Sequence, residues 1–189
     1  AFLGQLYHAY SLHEPARIAY HNATILAPRD YRWFYLKGRV CQEQGRLEEA
    51  LEHFATVRTL NPDYLACTVH QGLALLELGR QRPEIAVLDA DLYKSTRTVL
   101  FREEFPERFI DVGISEADMI SMAAGMAASG LIAYANSFAM FITTICYLPL
   151  RIQIAYPRLN VKLVGSSAGL TQGPDGASHQ SLEDIALMR

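Results

Sequence analysis

Residues 109–135 of the 189-residue chain read FIDVGISEADMISMAAGMAASGLIAYA, and this stretch decides the fold of the second half. It has an apolar run at 109–113, a segment rich in Ala, Met and Gly, and a second apolar run at 131–135. Short apolar runs are typical of buried strands, and small residues favour a helix that packs closely on a sheet. Ser115 stands where it can cap that helix. The stretch therefore predicts a strand, a helix and a strand in succession.

The same alternation continues on both sides of this stretch. Further strands are predicted at 84–91 and 160–165. Helices are expected at 138–145 and 151–156, with Pro149 as a bend between them, and again from about Ser181. Alternating strands and helices predict the α/β class, with a mostly parallel sheet flanked by helices.

Polar residues follow the predicted strands. Ligands of parallel sheets bind beyond the carboxyl ends of the strands. This rule places Asp91, Glu116, residues 137–138 and the loop 166–180 along one edge. His179 is the only histidine after residue 70 and lies in a Gly-rich loop, where function is more common than packing.

Residues 1–81 have a different pattern, which repeats at a fixed step along the chain. Gly4, Gly38 and Gly72 are in register, as are Pro28 and Pro62. The order resembles the tetratricopeptide repeat, a helix–turn–helix unit, and predicts an all-α arm before the α/β domain of residues 82–189. Two interpretations stay open: a concave surface that docks a peptide, or a packing element with no partner of its own.

Composition excludes several functional classes. The net charge is −3 and no basic cluster is present, so we expect no nucleic-acid partner. The three cysteines match no metal-binding spacing, and the helical histidines form no HxxxH pair, so no metal site is predicted. Free thiols and the lack of a signal peptide favour a cytoplasmic protein. The chain has no initiator Met, and we expect it to be a fragment.

The stretch 119–150 contains no charged residue and is long enough to cross a bilayer. Glycines and Pro149 interrupt it, however, and short buried elements of an α/β core explain these breaks better than one span. We therefore expect no membrane association.

A series of motifs in the second half of the chain resembles the pyrimidine-binding domain of transketolases, which use thiamine diphosphate. The similarity covers residues 82–189 and is strongest to the separately encoded C-terminal-half subunits of that family. Its motifs are FPERFIDVGISE (105–116), AAGMA (123–127), SFAMF (137–141), AYPRLNVK (155–162) and AGLTQGPDGASHQSLEDIALMR (168–189).

The resemblance implies roles for individual residues. Glu116 stands at the position of the glutamate that hydrogen-bonds the pyrimidine ring and so promotes deprotonation of the cofactor, which makes it catalytic. Phe138 and Phe141 resemble the aromatic residues that stack on that ring. Asp91 resembles an acidic residue near the thiazolium.

The resemblance also implies a sugar site. Asp175 and His179 resemble the pair that binds sugar hydroxyls, and His179 is a second catalytic candidate. Ser167 occupies a substrate-binding position where the family has a histidine. Leu148-Pro149 interrupts a helix that is continuous in the family.

The family's diphosphate-binding motif, Gly-Asp-Gly followed by Asn, is absent from the sequence. The resemblance therefore implies that Mg²⁺ and the diphosphate are held by a partner domain or subunit in a dimeric assembly. The chain is expected to be inactive alone. Three hypotheses stay open: an enzyme component for ketol transfer, a non-enzymatic scaffold whose repeats dock a partner, or two unrelated pieces that have been joined.

Overall fold

The computed structural model describes residues 2–61, 64–170 and 175–189. The chain divides into two compact units, Ala1–Leu75 and Leu76–Arg189. The first unit is built from helices, the last of which extends past Leu75. Their bounds are α1 Phe2–Ala9, α2 His13–Leu26, α3 Tyr31–Glu43, α4 Leu47–Leu60 and α5 Leu65–Gln81.

The helices repeat at the step seen in the sequence. The first and last residues of α4 follow those of α2 at the same step that separates Gly4 from Gly38. The residues before these helices, Leu12 and Arg46, have nearly the same backbone angles, with φ −84° and ψ of 72° and 65°. The repeat is therefore one of backbone conformation as well as sequence.

Glycine allows the paired helices to approach each other. A Cβ atom at Gly4 would lie 2.8 Å from the Tyr20 ring, and one at Gly38 would lie 2.6 Å from the Phe54 ring. Both rings are fully buried. The two contacts are equivalent in the repeat, because each glycine precedes its aromatic partner by the same interval.

The second unit is built on four strands, which are β1 Ile85–Asp89, β2 Phe109–Asp111, β3 Ile132–Phe138 and β4 Val161–Ser166. They form one parallel sheet in the order β2-β1-β3-β4. The helix of residues 116–128 packs against this sheet and buries Met119, Ile120, Ala123 and Ala124 in the core. The predicted parallel sheet flanked by helices is confirmed.

The helical elements of this unit are mostly short. They are α6 Tyr93–Thr96, α7 Val99–Glu104, a 3-10 helix at Pro106–Arg108, α8 Glu116–Ala128, π-helices at Phe141–Ile145 and Leu150–Ala155, α9 Tyr147–Pro149, a 3-10 helix at Gly176–His179 and α10 Asp184–Met188.

Two local predictions at α8 and β3 are wrong. Ser115 occupies the position before α8, but its side chain makes no capping hydrogen bond. Phe138 ends a strand and does not begin a helix, because β3 continues for three polar or aromatic residues beyond Ala135. Pairing with β4 sustains this extension, with Phe138 opposite Ser166.

Pro149 is not the bend between the two helical segments. The break is at Cys146, and Pro149 lies inside the helical segment that begins at Tyr147 with helical backbone angles. A proline is tolerated there because N–H groups in the first turn of a helix have no partner in the helix.

Within the described residues, no helix is both long enough and apolar enough to cross a bilayer. The uncharged stretch 119–150 is instead divided among α8, β3, the first π-helix and α9. Its side chains supply much of the core, including Met119, Ala133 and Ile142.

Candidate cofactor and substrate site

The carboxyl ends of the parallel strands bring buried polar side chains to one edge of the sheet. This group consists of Asp89 on β1, Asn136 and Ser137 on β3, and Ser166 and Ser167 at the end of β4. Buried polar groups require hydrogen-bond partners, and their concentration at one edge marks it as different from the apolar core. This is the edge at which ligands of parallel sheets bind.

Glu116 begins α8 just after the end of β2, and only 7% of it is exposed. Its Oε1 accepts a hydrogen bond of 3.0 Å from Ser137 Oγ. Among the described residues, none donates a hydrogen bond to Oε2. Ser137 therefore orients the carboxyl group through Oε1, and Oε2 is left to bind a ligand.

Cys146 lies near this carboxyl group. Burial, with a smaller contribution from the charge of Glu116, raises the pKa of the Cys146 thiol to about 11. The thiol is therefore neutral at physiological pH and acts as a small apolar group in the core.

Three aromatic rings meet at the end of β3. The centroids of the Phe138 and Phe141 rings are 6.1 Å apart. The His179 ring packs edge-on against both, at 5.4 Å from Phe138 and 5.0 Å from Phe141. The structure therefore brings His179 to two residues far earlier in the sequence, and these follow closely after Ser137, the partner of Glu116.

Asp89 organises the loop after β1. It is fully buried, and its carboxylate accepts hydrogen bonds from the Thr96 and Thr98 hydroxyls and from the Leu92 N–H. Burial raises the pKa of Asp89 to about 6 despite these three donors, with a further contribution from Asp111. The loop of residues 90–98 is thus attached to the sheet by a carboxyl group inside the core.

The other predicted site residues lie at the same edge but outside the aromatic group. Asp91 is exposed, has φ 59°, and donates its N–H to Asp111 Oδ1 at 3.1 Å. Ser167 follows β4 with φ 56° and is buried. Asp175 is exposed and precedes the 3-10 helix that carries His179. Residues 171–174 of the Gly-rich loop lie outside the described residues.

Asp184 connects the last helix to this region. Its Oδ1 accepts a hydrogen bond of 2.8 Å from the Thr143 hydroxyl, and its Oδ2 accepts one of 3.0 Å from the Gly169 N–H. Ser181 also donates its N–H to the Gly169 carbonyl. These contacts hold the segment that carries His179 against the π-helix that carries Phe141.

Sequence reasoning missed three residues that shape the site: Ser137 as a partner of Glu116, Asp89, and Asp184. For Asp89 a signal was present, because a carboxylate inside an otherwise apolar strand is unusual. Ser137 and Asp184 carried no such signal, because their partners are distant in sequence.

Comparison with known proteins decides the family. The pattern of the family described as "Transketolase, pyrimidine binding domain" matches residues 64–189, more than half of the chain. The chain belongs to this family. The match does not include residues 1–63, so the tetratricopeptide interpretation of residues 1–81 stays a prediction.

Three relatives illustrate the similarity. A "Putative transketolase C-terminal section" of Methanocaldococcus jannaschii is 52% identical over 118 residues, or 62% of this chain and 37% of the relative. A "6-deoxy-6-sulfo-D-fructose transketolase subunit SqwH" of a Clostridium species is 42% identical over 115 residues, or 61% and 36%. A solved "Split gene transketolase, inactive beta4 tetramer" superposes with a TM-score of 0.54 at 48% identity, over 62% of this chain and 37% of the other. This chain thus spans little more than a third of each.

Proposed function

We propose that this chain supplies the pyrimidine-binding half of a thiamine diphosphate site and takes part in ketol transfer between sugar phosphates when a diphosphate-binding partner completes the site. Two observations carry the proposal: the buried Glu116 is held by Ser137 near the end of β3, and the Phe138, Phe141 and His179 rings meet at the end of the same strand.

The residues at this edge suit the pyrimidine half of the cofactor. Glu116 offers a carboxyl group with one oxygen oriented by Ser137, which leaves the other for a ring nitrogen. Phe138 and Phe141 are each partly exposed, so their rings offer apolar surface to a flat heterocycle. The neutral Cys146 thiol adds no competing charge beside Glu116.

Thiamine diphosphate supplies a thiazolium carbon that becomes nucleophilic once it is deprotonated. In our proposal Glu116 would bind a pyrimidine ring nitrogen and share a proton with it, which would favour that deprotonation, and Ser137 would keep the carboxylate in position. His179 and Asp175 bind hydroxyl groups of the sugar, and Ser167 contributes a weaker contact. Asp91 lies near the thiazolium side.

The diphosphate and its Mg²⁺ require a second domain. The sequence has no Gly-Asp-Gly motif, and the edge described above carries Asp89, Asp91, Asp111 and Glu116, which repel a diphosphate. Relatives described as a C-terminal section and as a subunit support a separate partner. We therefore propose a cytoplasmic assembly, at least dimeric, in which this chain alone is inactive.

We further propose that residues 1–81 are tetratricopeptide-like repeats and that residues 82–189 form the pyrimidine-binding domain. The equal offsets of α2 and α4 and the equivalent Gly4–Tyr20 and Gly38–Phe54 contacts support the repeat. In this interpretation the helices are able to dock a peptide. The transketolase relatives do not favour the hypothesis of a purely non-enzymatic scaffold.

The test is ketol transfer with thiamine diphosphate and Mg²⁺, measured for this chain alone and mixed with the diphosphate-binding subunit of a split transketolase. Glu116→Gln is compared with Glu103→Gln, which changes an exposed glutamate on α7. We expect activity only in the mixture. Glu116→Gln should lower it by about 100-fold or more, the size of an acid–base contribution, and Glu103→Gln should leave it unchanged.

A mixture that forms a complex but shows no transfer would contradict the proposed activity. Equal activity in the two glutamine variants would instead contradict the role of Glu116.

A further inference from the structure

A second group of potential ligands lies in the helical unit. Cys41 is on α3, and Glu49 and His53 are one turn apart on α4. One ligand atom from each lies within 4.8 Å of the other two. Cys41 is fully buried, and the other two are partly buried. Because the three come from two helices, no spacing in the sequence indicates them, and the sequence analysis predicted no metal site.

In the described part of the chain, two of the three ligand groups have no other hydrogen-bond partner, and the third keeps one oxygen free. Within the described residues, neither the Cys41 thiol nor the His53 imidazole has a hydrogen-bond partner. Glu49 accepts both hydrogen bonds of Arg46 on Oε1, which leaves Oε2 free of hydrogen bonds from the described chain.

The types of ligand atom select the kind of ion, and the surrounding charges affect how tightly it binds. Arg46, Lys37 and Arg17 carry positive charges near Cys41, beside the negative charge of Glu49. His21 also faces the group and contacts Lys37 Nζ at 3.3 Å. Hard ions such as Mg²⁺ and Ca²⁺ bind through several oxygen ligands, and this group offers a single carboxylate, that of Glu49. Thiolate and imidazole instead form strong bonds with borderline and soft ions.

We propose that Cys41, Glu49 and His53 form a binding site for a single Zn²⁺-class ion, with a fourth position open to water. Three protein ligands and one water are a usual zinc coordination. Bonds of about 2.0–2.3 Å would bring tetrahedral ligand atoms to roughly 3.5 Å from one another. The ligand atoms, now within 4.8 Å of one another, therefore need to move only slightly closer together. Rotation of the partly exposed Glu49 and His53 side chains can bring them there.

The experiment uses the purified full chain, freed of metal by a chelator and titrated with Co²⁺ in place of Zn²⁺. We expect a thiolate-to-cobalt charge-transfer absorption that saturates at one ion per chain and disappears when Zn²⁺ is added. Cys41→Ser should abolish this absorption. His53→Gln should weaken Co²⁺ binding by more than about 100-fold, since loss of an outer-shell partner alone costs about 10- to 100-fold.

Matched controls come from the same unit. Cys67 is also buried and His70 is also partly buried, but neither belongs to the group. Cys67→Ser and His70→Gln should therefore bind Co²⁺ like the unmodified chain. Lys37→Met, which removes an opposing charge, should tighten binding by about tenfold.

Charge-transfer absorption that persists in Cys41→Ser would overturn the proposal. So would the absence of Co²⁺ and Zn²⁺ binding by a chain with native circular dichroism. If Cys41→Ser fails to fold, the Co²⁺ affinity of the folded His53→Gln variant becomes the test. An affinity equal to that of the unmodified chain would contradict the proposed site.

Discussion

At the scale of single residues, Asp89 organises the loop that follows β1. Its carboxyl group is inside the core, yet it accepts hydrogen bonds from two hydroxyls and one backbone N–H. Burial dominates over these donors, so the pKa of Asp89 rises to about 6. The residue therefore stabilises the loop geometry at the cost of a buried charge near neutral pH.

Asp89→Asn should change how stability depends on pH. The unfolded aspartate has a pKa of about 3.9, so the folded chain binds more protons between about pH 4 and pH 6. The contribution of Asp89 is fully present below about pH 4 and is lost as pH rises through 6. Relative to the unmodified chain, the variant should gain about 2–3 kcal/mol of unfolding free energy between pH 4 and pH 7.

Urea unfolding at a series of pH values measures this difference. Asp91→Asn, at an exposed aspartate in the same loop, serves as the control and should follow the unmodified chain. If the unfolding free energies of the Asp89 variant and the unmodified chain change with pH in parallel, Asp89 has an ordinary pKa in the folded chain.

At the scale of elements, the helix pairs of the first unit depend on close approach. A Cβ at Gly38 would meet the Phe54 ring at 2.6 Å, and this ring is fully buried and unable to move freely. Helix α8 contains a contrasting glycine, because a Cβ at Gly125 would meet nothing within 4 Å.

Gly38→Ala should therefore destabilise the chain by about 1–3 kcal/mol, the usual cost of overpacking. Gly125→Ala should stabilise it by about 0.5–1 kcal/mol, because alanine loses less conformational freedom in a helix. Chemical denaturation of both variants measures the two effects. The essential result is that the two changes in unfolding free energy have opposite signs. Stabilisation by Gly38→Ala would mean that α3 and α4 are able to separate at no cost.

A side-chain hydrogen bond joins the π-helix Phe141–Ile145 to α10. Thr143 donates to Asp184, whose other oxygen accepts the Gly169 N–H. Irregular helical turns of this type are frequent at functional sites, and this one carries Phe141.

Thr143→Val keeps the shape of the side chain and removes the hydroxyl. We expect a loss of about 1 kcal/mol and faster amide hydrogen exchange at Gly169 and in α10, because Asp184 loses a partner. Thr144→Val is the control, since among the described residues the Thr144 hydroxyl bonds to the nearby Met140 carbonyl and to nothing in α10. Exchange at Gly169 that is equally fast in both variants would exclude the proposed connection.

At the scale of the whole molecule, both compact units contain buried thiols. Cys41 and Cys67 lie in the first unit and Cys146 in the second, and all three are free and buried. Burial raises the pKa of Cys67 to about 12 and that of Cys146 to about 11. The reactive form of a cysteine is the thiolate. The native chain therefore protects Cys67 and Cys146 both by burying them and by keeping their thiols protonated.

Labelling with a thiol reagent at neutral pH should therefore be slow in the native chain and fast for all three cysteines in denaturant. Mass spectrometry of the labelled peptides assigns each rate to a residue. The rates of Cys67 and Cys146 then report the opening of the first and second units separately. Rapid native labelling of Cys146 would contradict its placement in the core beside Glu116.

The sequence by itself determined the class of the second unit and the edge that carries its polar residues. Short apolar runs predict buried strands, and the small residues between Met119 and Ser129 indicate a closely packed helix, because both signals depend on local composition. The ends of α4 also follow from local sequence, since Gly45 precedes the helix and polar residues follow Leu60. The positions of Glu116, Phe138 and His179 at one edge follow from the order of strands alone.

Only the tertiary structure decided which side chains meet there. Periodicity reports whether a residue is buried, but it does not report its partner when that partner is far away in the chain. The bond from Ser137 to Glu116, the attachment of Asp184 to Thr143, and the group of Cys41, Glu49 and His53 all join separate elements. The length of β3 was also set by pairing with β4, because backbone hydrogen bonds to a neighbouring strand stabilise polar residues that sequence patterns assign to a loop.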